Sequence, residues 1–163
     1  MPKGKRARRH WLFKTEPETY GIDDLERDRV TGWEGVRNHQ ARNLLRDEVG
    51  LGDGVLIYHS SCDPLAVTGV AEVVRSAYPD DTAFDVRSPY HDPRSDPAEP
   101  TWLRVDVGFV GRFREPVLRS TLSAMPELAG MMLLKRGSRL SIQPVSPAEW
   151  TAILKVAGFR EAR

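Results

Sequence analysis

The sequence predicts one α+β domain built around a curved or barrel-like antiparallel sheet. Several short segments are apolar throughout or alternate apolar and polar residues, as strands do. Helical patterns occur early in the chain and at its end, so the regular strand–helix alternation of a doubly wound sheet is absent. At 163 residues the chain has the length of one domain and can bury a core.

Five segments have the pattern of strands. They are residues 11–14, 55–59, 66–74, 102–110 and 139–143. Pro17 and Pro144 follow the first and the last of these segments, and proline is expected to end a strand because it has no N–H for the ladder.

Three helices have recognisable starts or stops. A short helix is expected over residues 22–28, and Asn38 can cap a second one that runs to about residue 48. The last helix begins with a capping box and proline at residues 146–149 and stops at Gly158. A further helical piece over 118–124 is broken by a proline, and the proline-rich residues 78–100 are expected to form a long loop.

The charge is unevenly distributed, although the net charge is only +1. Residues 1–9 are expected to form a basic flexible arm before a domain over 10–160, and the arm holds five of the 24 basic residues and no acidic one. It could bind phosphates or serve as a nuclear address, and it could equally be a solvated terminus. The body is mildly acidic, so a nucleic-acid partner would have to bind through a local pocket.

The sequence favours a cytoplasmic monomer, nuclear if the source is eukaryotic. No apolar run approaches the roughly 18 residues that span a bilayer, and the basic start is not followed by a signal-peptide core. The single Cys62 cannot form an internal disulfide.

No cofactor, metal site or catalytic residue is expected. His59 and Cys62 form at most half of a metal site, and the glycines of residues 50–54 lack the Lys-Ser/Thr of a phosphate-binding loop. His59 and Ser60 would point to opposite faces of a strand, which disfavours a nucleophile and base pair, although Ser61 could share a face with His59.

The most informative segment is residues 33–43, which place a tryptophan, two arginines and several amides near Gly32 and Gly35. A flat ring can stack on a planar ligand, and the forked groups of Arg37, Asn38 and Gln40 suit the polar edge of a nucleobase. A packed tryptophan beside a helix cap explains the segment equally well.

Four motifs of the chain resemble those of the EVE domain family in order and spacing. They are residues 11–17 (WLFKTEP), 33–43 (WEGVRNHQARN), 58–60 (YHS) and 139–145 (RLSIQPV), and the resemblance covers about residues 10–157. The family belongs to the PUA-like superfamily and is similar in fold to YTH and ASCH domains. The resemblance implies a mixed β-barrel flanked by helices, with a pocket for a flipped, modified base.

The resemblance also implies which residues bind the ligand. Lys14 and Thr15 match the Lys-Ser after the first strand, and Trp33 matches the pocket aromatic. The full set expected to contact the ligand is Lys14, Thr15, Glu16, Trp33, Val36, Arg37, Asn38, Tyr58, His59, Ser60, Arg139, Leu140 and Ser141. The chain departs from the family at Thr15, where serine is usual, and at His39 and Ile142, where tyrosine and valine are common, so the preferred modification could differ.

The expected function is a non-catalytic reader of a modified cytosine or methyladenine in DNA or RNA. The alternative is a small hydrolase or ribonuclease like some ASCH relatives, with Lys14, Glu16 or His59 as acid and base. A third hypothesis for the same residues is a pocket that binds a free nucleotide-like metabolite.

Overall fold

A computed structural model describes residues 7–161 as one six-stranded sheet covered by helices. The strands are β1 His10–Thr15, β2 Val30–Gly32, β3 Gly54–His59, β4 Ala66–Pro79, β5 Leu103–Leu118 and β6 Ile142–Val145. The helices are α1 Ile22–Asp28, α2 His39–Asp47, α3 Arg119–Ser123 and α4 Pro147–Ala157, and 3₁₀ turns span Asp81–Phe84, Pro126–Leu128 and Met132–Leu134. No helix within residues 7–161 is both long and apolar enough to cross a bilayer.

The sheet is mixed and open. Its strand order is β2-β5-β4-β3-β1-β6, with β1 parallel to β3 and antiparallel to β6. The expectation of an α+β fold with a mixed sheet is confirmed, but the expected barrel is wrong, because no ladder in the described part of the chain joins β2 to β6. Both edge strands are short, and Pro144 in β6 has no N–H to donate. The sheet is also not wholly antiparallel, because β1 and β3 are parallel. The long connection between them, which contains α1, β2 and α2, allows this parallel crossover.

Residues along β1 alternate between two cores, one on each face of the sheet. Trp11 and Phe13 pack in one core with residues of α1 and α2, while Leu12 packs in the other with residues of α4. Strand β3 divides in the same way, with Ile57 in the first core and Leu56 in the second. Burial on both faces explains why these two strands are continuously apolar instead of alternating with polar residues.

The helix boundaries confirm the capping signals in the sequence. The Asn38 side chain accepts a hydrogen bond from the Ala41 N–H at 3.0 Å, and α1 spans the predicted residues 22–28. At the start of α4, Ser146 accepts from the Glu149 N–H at 3.1 Å, and Glu149 accepts in return from the Ser146 N–H at 2.9 Å. The helix ends at Gly158, whose φ of 67° suits glycine.

Four strands differ from the sequence predictions by more than one or two residues, and β4 ends at Pro79 rather than at residue 74. Strand β6 covers Ile142–Val145 rather than 139–143, and it continues through Pro144 because an edge strand has one side without a partner. Strand β5 runs on to Leu118 through register shifts, well beyond the predicted end at residue 110. Strand β2 was not predicted, since its three residues are too few to show a period.

The predicted arm lies only partly within the described residues. Residues 1–6 are outside them, while Arg8 and Arg9 lie against the body. The Arg8 guanidinium donates to Glu161 at 2.7 Å and to the Gly52 carbonyl at 3.1 Å. The Arg9 N–H donates to the Asp53 carboxylate at 3.0 Å.

Candidate functional site

Nearly half of the predicted ligand residues meet at one edge of the sheet. Because β1 and β3 are parallel, their carboxyl ends lie side by side, with Lys14 opposite Tyr58 and Thr15 opposite His59. The Ser60 N–H donates to the Thr15 carbonyl at 2.9 Å, and the Lys14 N–H donates to the Ser141 carbonyl at 2.8 Å. We call this group the strand-end cluster: Lys14, Thr15, Tyr58, His59, Ser60 and Ser141.

The cluster divides between the two faces of the sheet. Lys14, Tyr58 and Ser60 line a cavity of about 430 Å³ on the α4 face. Thr15 and His59 instead contact the segment that leads into α1. The volume of the cavity falls within the range of small-ligand sites, roughly 300 to 1,000 Å³.

Eight further residues complete the wall of this cavity, and they were not predicted as ligand residues. We call the whole the basic cavity: Lys14, Tyr58, Ser60, Ser61, Leu65, Arg119, Leu133, Lys135, Arg136, Gly137 and Ser138. The one signal in the sequence was the pair Lys135-Arg136 beside Gly137-Ser138, a basic pair in a loop-forming segment. Such a pair is usually only a solvated surface, so it did not identify a site.

The electrostatics of the cavity wall favour an anion. Burial lowers the pKa of Lys14, and the positive charge of Arg119 lowers it further. Burial raises the pKa of Tyr58, so the phenol is neutral at physiological pH. A half-buried ammonium next to a second cation has no local counter-charge from these groups, which suits a negatively charged ligand.

Thr15 and His59 hold the start of α1. The Thr15 hydroxyl donates to the Tyr20 carbonyl at 2.6 Å, and the Ile22 N–H donates to His59 Nε2 at 3.1 Å. Burial lowers the pKa of His59, opposed by the nearby Asp23 carboxylate, so the neutral ring is favoured. The lone pair on Nε2, which a general base would use, is therefore engaged by a backbone N–H.

Trp33 lies mostly inside the core. Its side chain is 8% exposed, and its ring centroid is 5.4 Å from that of Phe13 and 6.4 Å from that of Tyr20. Val36 is also buried, at 5% exposure. The ring is therefore packed in the core, as expected for a tryptophan beside a helix cap. Stacking of Trp33 on a ligand stays a prediction, and it depends on the small exposed part of the ring.

Arg37 uses its forked guanidinium within the protein. It donates to the Asp80 carboxylate at 2.9 Å and to the Tyr90 carbonyl at 3.0 and 2.7 Å. The Gly35 N–H donates to the same carboxylate at 2.9 Å. Gly35 has a φ of +84° and no space for a side chain, because an added Cβ would lie 2.7 Å from the Tyr90 ring. Arg37 and Gly35 thus fasten the long loop after β4 over the start of α2.

The remaining predicted ligand residues are Arg139, Leu140 and Glu16. Arg139 is exposed, and Leu140 is half-buried against the core that contains Trp33. The Glu16 side chain is exposed, while its carbonyl accepts from the N–H groups of Thr19 and Tyr20. Among residues 7–161, no group of three or more His, Cys, Asp or Glu side chains is arranged to hold a metal ion.

Comparison with known proteins places the chain in a family. The family model described as EVE domain matches residues 9–156. Thymocyte nuclear protein 1 from Homo sapiens is 36% identical, covering 93% of this chain and 75% of the relative.

Solved structures agree with this match. A hypothetical protein from Leishmania major is 42% identical with a TM-score of 0.89, over 93% of this chain and 95% of that one. Human THYN1 protein, solved in complex with 5-methylcytosine containing DNA, is 35% identical with a TM-score of 0.87, over 93% of this chain and 99% of that one. An ASCH protein from Zymomonas mobilis, at 12% identity and a TM-score of 0.52, shares the fold alone. The chain belongs to the EVE domain family.

Proposed function

We propose that the protein is a non-catalytic reader of a modified base in nucleic acid, with 5-methylcytosine in DNA as the leading ligand. The observation that supports this most is the likeness, over 93% of the chain, to a human protein solved with DNA containing that base. Methyladenine and RNA are the other ligands to be compared.

The proposed binding edge is the strand-end cluster together with the exposed part of Trp33. A base must leave its stack to reach such an edge, at a cost of a few kcal/mol, and contact with an aromatic ring returns about 1 to 3 kcal/mol. Ser60 and the backbone groups at the strand ends would supply the hydrogen bonds that identify the base. Arg37 and Asn38 support the site indirectly in this proposal, since they fasten the long loop and cap α2.

Short oligonucleotides that each carry one modified base test the proposal directly. We expect 5-methylcytosine DNA to bind about fivefold more tightly than the same DNA with cytosine, because burying one methyl group contributes about 1 kcal/mol. Fluorescence anisotropy with labelled duplexes and single strands measures the ratio. Equal affinity for every modified and unmodified oligonucleotide would contradict the reader function, and a stronger preference for methyladenine or RNA would replace the leading ligand.

The rival enzyme function predicts turnover, and we expect none. Purified protein would be incubated with modified and unmodified RNA, DNA and nucleosides, and the mixtures analysed by mass spectrometry. The engaged lone pair of His59 argues against a free general base at this edge. Product that increases with protein concentration and disappears in Lys14→Ala or Glu16→Ala would establish the enzyme instead.

A further inference from the structure

We propose that the basic cavity binds phosphate groups of the nucleic-acid backbone next to the recognised base. This inference rests on the proposed function and adds a second, sequence-independent contact to it. Phosphate contacts fix the position of a protein on nucleic acid, while base contacts select the site.

The charge of the cavity wall is the first argument. Four of its side chains are cations, and none is a carboxylate: Lys14, Arg119, Lys135 and Arg136. Within residues 7–161, none of these four side chains forms an ion pair with an acidic residue. Arg112, elsewhere on the surface, is paired with both Asp23 and Glu26. Clustered cations without a protein counter-charge are suited to an external anion.

The polar groups of the wall are the second argument. Ser61 and Ser138 line the cavity and bring hydroxyl groups that can donate to phosphate oxygens. Gly137, between Arg136 and Ser138, has a φ of +79° and no heavy atom within 4 Å of an added Cβ, so the backbone there is open to a ligand.

Gln143 holds this wall in place. Its side chain is 1% exposed, and its amide nitrogen donates to the Ser138 hydroxyl at 3.1 Å and to the Leu140 carbonyl at 2.9 Å. Gln143 faces Leu12 across the β6–β1 ladder, so the loop is anchored to the sheet. A wall that is fixed before binding loses less entropy when the anion arrives.

The position of the cavity is the third argument. Lys14 lines the cavity and precedes Thr15, which faces the α1 side of the same sheet edge. Successive strand residues are about 3.3 Å apart, so the cavity wall begins within one residue of the α1 side of this edge. A base at the strand-end cluster therefore places a neighbouring phosphate within reach of the cavity.

The double variant Lys135→Ala/Arg136→Ala tests the proposal, because both residues are exposed and removing them leaves the core intact. Affinities for a methylated duplex and its unmethylated copy would be measured over a range of salt concentrations. We expect both affinities to fall by the same factor, roughly tenfold. The slope of log K against log salt should flatten by about 1 to 2, as each lost phosphate contact removes about 0.9. Arg114→Ala/Lys155→Ala, which removes one exposed arginine and one exposed lysine elsewhere, should change neither quantity.

The outcomes separate this proposal from the reader function. If the double variant keeps the parent's slope of log K against log salt and its preference for the methylated duplex, the phosphate site alone is overturned. If the double variant loses the preference for the methylated duplex but keeps the slope, the base itself binds in the cavity, and the phosphate site is again overturned. A parent protein without preference, whose slope still flattens in the variant, overturns the reader function and supports the phosphate site, whereas a parent that binds neither duplex overturns both. Inorganic phosphate that displaces the duplex at matched ionic strength would indicate a site for free phosphate rather than for the backbone.

Discussion

Replacing Asp80 with alanine is expected to lower the free energy of unfolding by about 3 kcal/mol. The carboxylate is fully buried and accepts hydrogen bonds from the Gly35 N–H, the Arg37 guanidinium and both the N–H and the hydroxyl of Thr82. Its loss leaves the half-buried Arg37 without its counter-charge and releases the long loop. Chemical denaturation measures the change.

The pH dependence of the same variant gives an independent check. Burial opposes ionisation of Asp80, but hydrogen bonds from Thr82, Gly35 and Arg37 outweigh it, so the pKa lies below its ordinary value of 3.8. The stabilisation is complete above that ordinary value and is lost as the pH falls through the lower pKa of the folded state. The difference in the free energy of unfolding between the parent and Asp80→Ala should therefore become smaller in acid. A gap that stays constant or widens there would contradict the assignment, and Asp47→Ala, at an exposed pair with Arg46, should leave the stability unchanged.

Trp33→Ala is expected to destabilise the protein by about 3 to 5 kcal/mol, as is Trp150→Ala. The two side chains are 8% and 4% exposed, and each packs in one of the two cores. Thermal or chemical denaturation measures the loss. A stability close to that of the parent for Trp33→Ala would show that the ring contributes little to packing and is available to a ligand.

Because of this burial, a binding defect of Trp33→Ala alone would not identify stacking. Trp33→Phe keeps an aromatic ring against Phe13 and Tyr20, so its fold should be retained. If the exposed part of Trp33 touches the base, Trp33→Phe should lose part of the about 1 to 3 kcal/mol that stacking contributes. Trp150→Ala, measured at a temperature where it is folded, should keep the methyl preference. Parent-like binding by Trp33→Phe would remove stacking from the proposed mechanism.

The features predicted correctly from the sequence are those with local causes. The cap at Asn38 and the capping box at Ser146 depend on residues three positions apart, so their signals are complete within one turn. Pairing between distant segments has no such signal. The parallel alignment of β1 with β3, the shift of β6 and the short β2 all depend on which segments meet in the folded chain.

The candidate site shows the same limit. The sequence motifs identified Lys14, Tyr58 and Ser60, which the structure brings together. Arg119 comes from a segment with no distinguishing pattern, and the pair Lys135-Arg136 has the pattern of an ordinary solvated surface. Trp33 and Arg37 illustrate a different ambiguity. A large ring and a forked cation can bind a base, and the same properties fill a core and fasten a loop, so residue type alone does not decide between the two roles.

The position of β1 between β3 and the edge strand β6 has a consequence for protein synthesis. This strand is translated well before one of its two neighbours, β6, because the other strands and most of the helices lie between them in the sequence. The ribosome must therefore synthesise the chain through Ser141 before the Lys14 N–H can reach the Ser141 carbonyl. Polypeptides that terminate before β6 would therefore lack this edge of the sheet and the complete strand-end cluster.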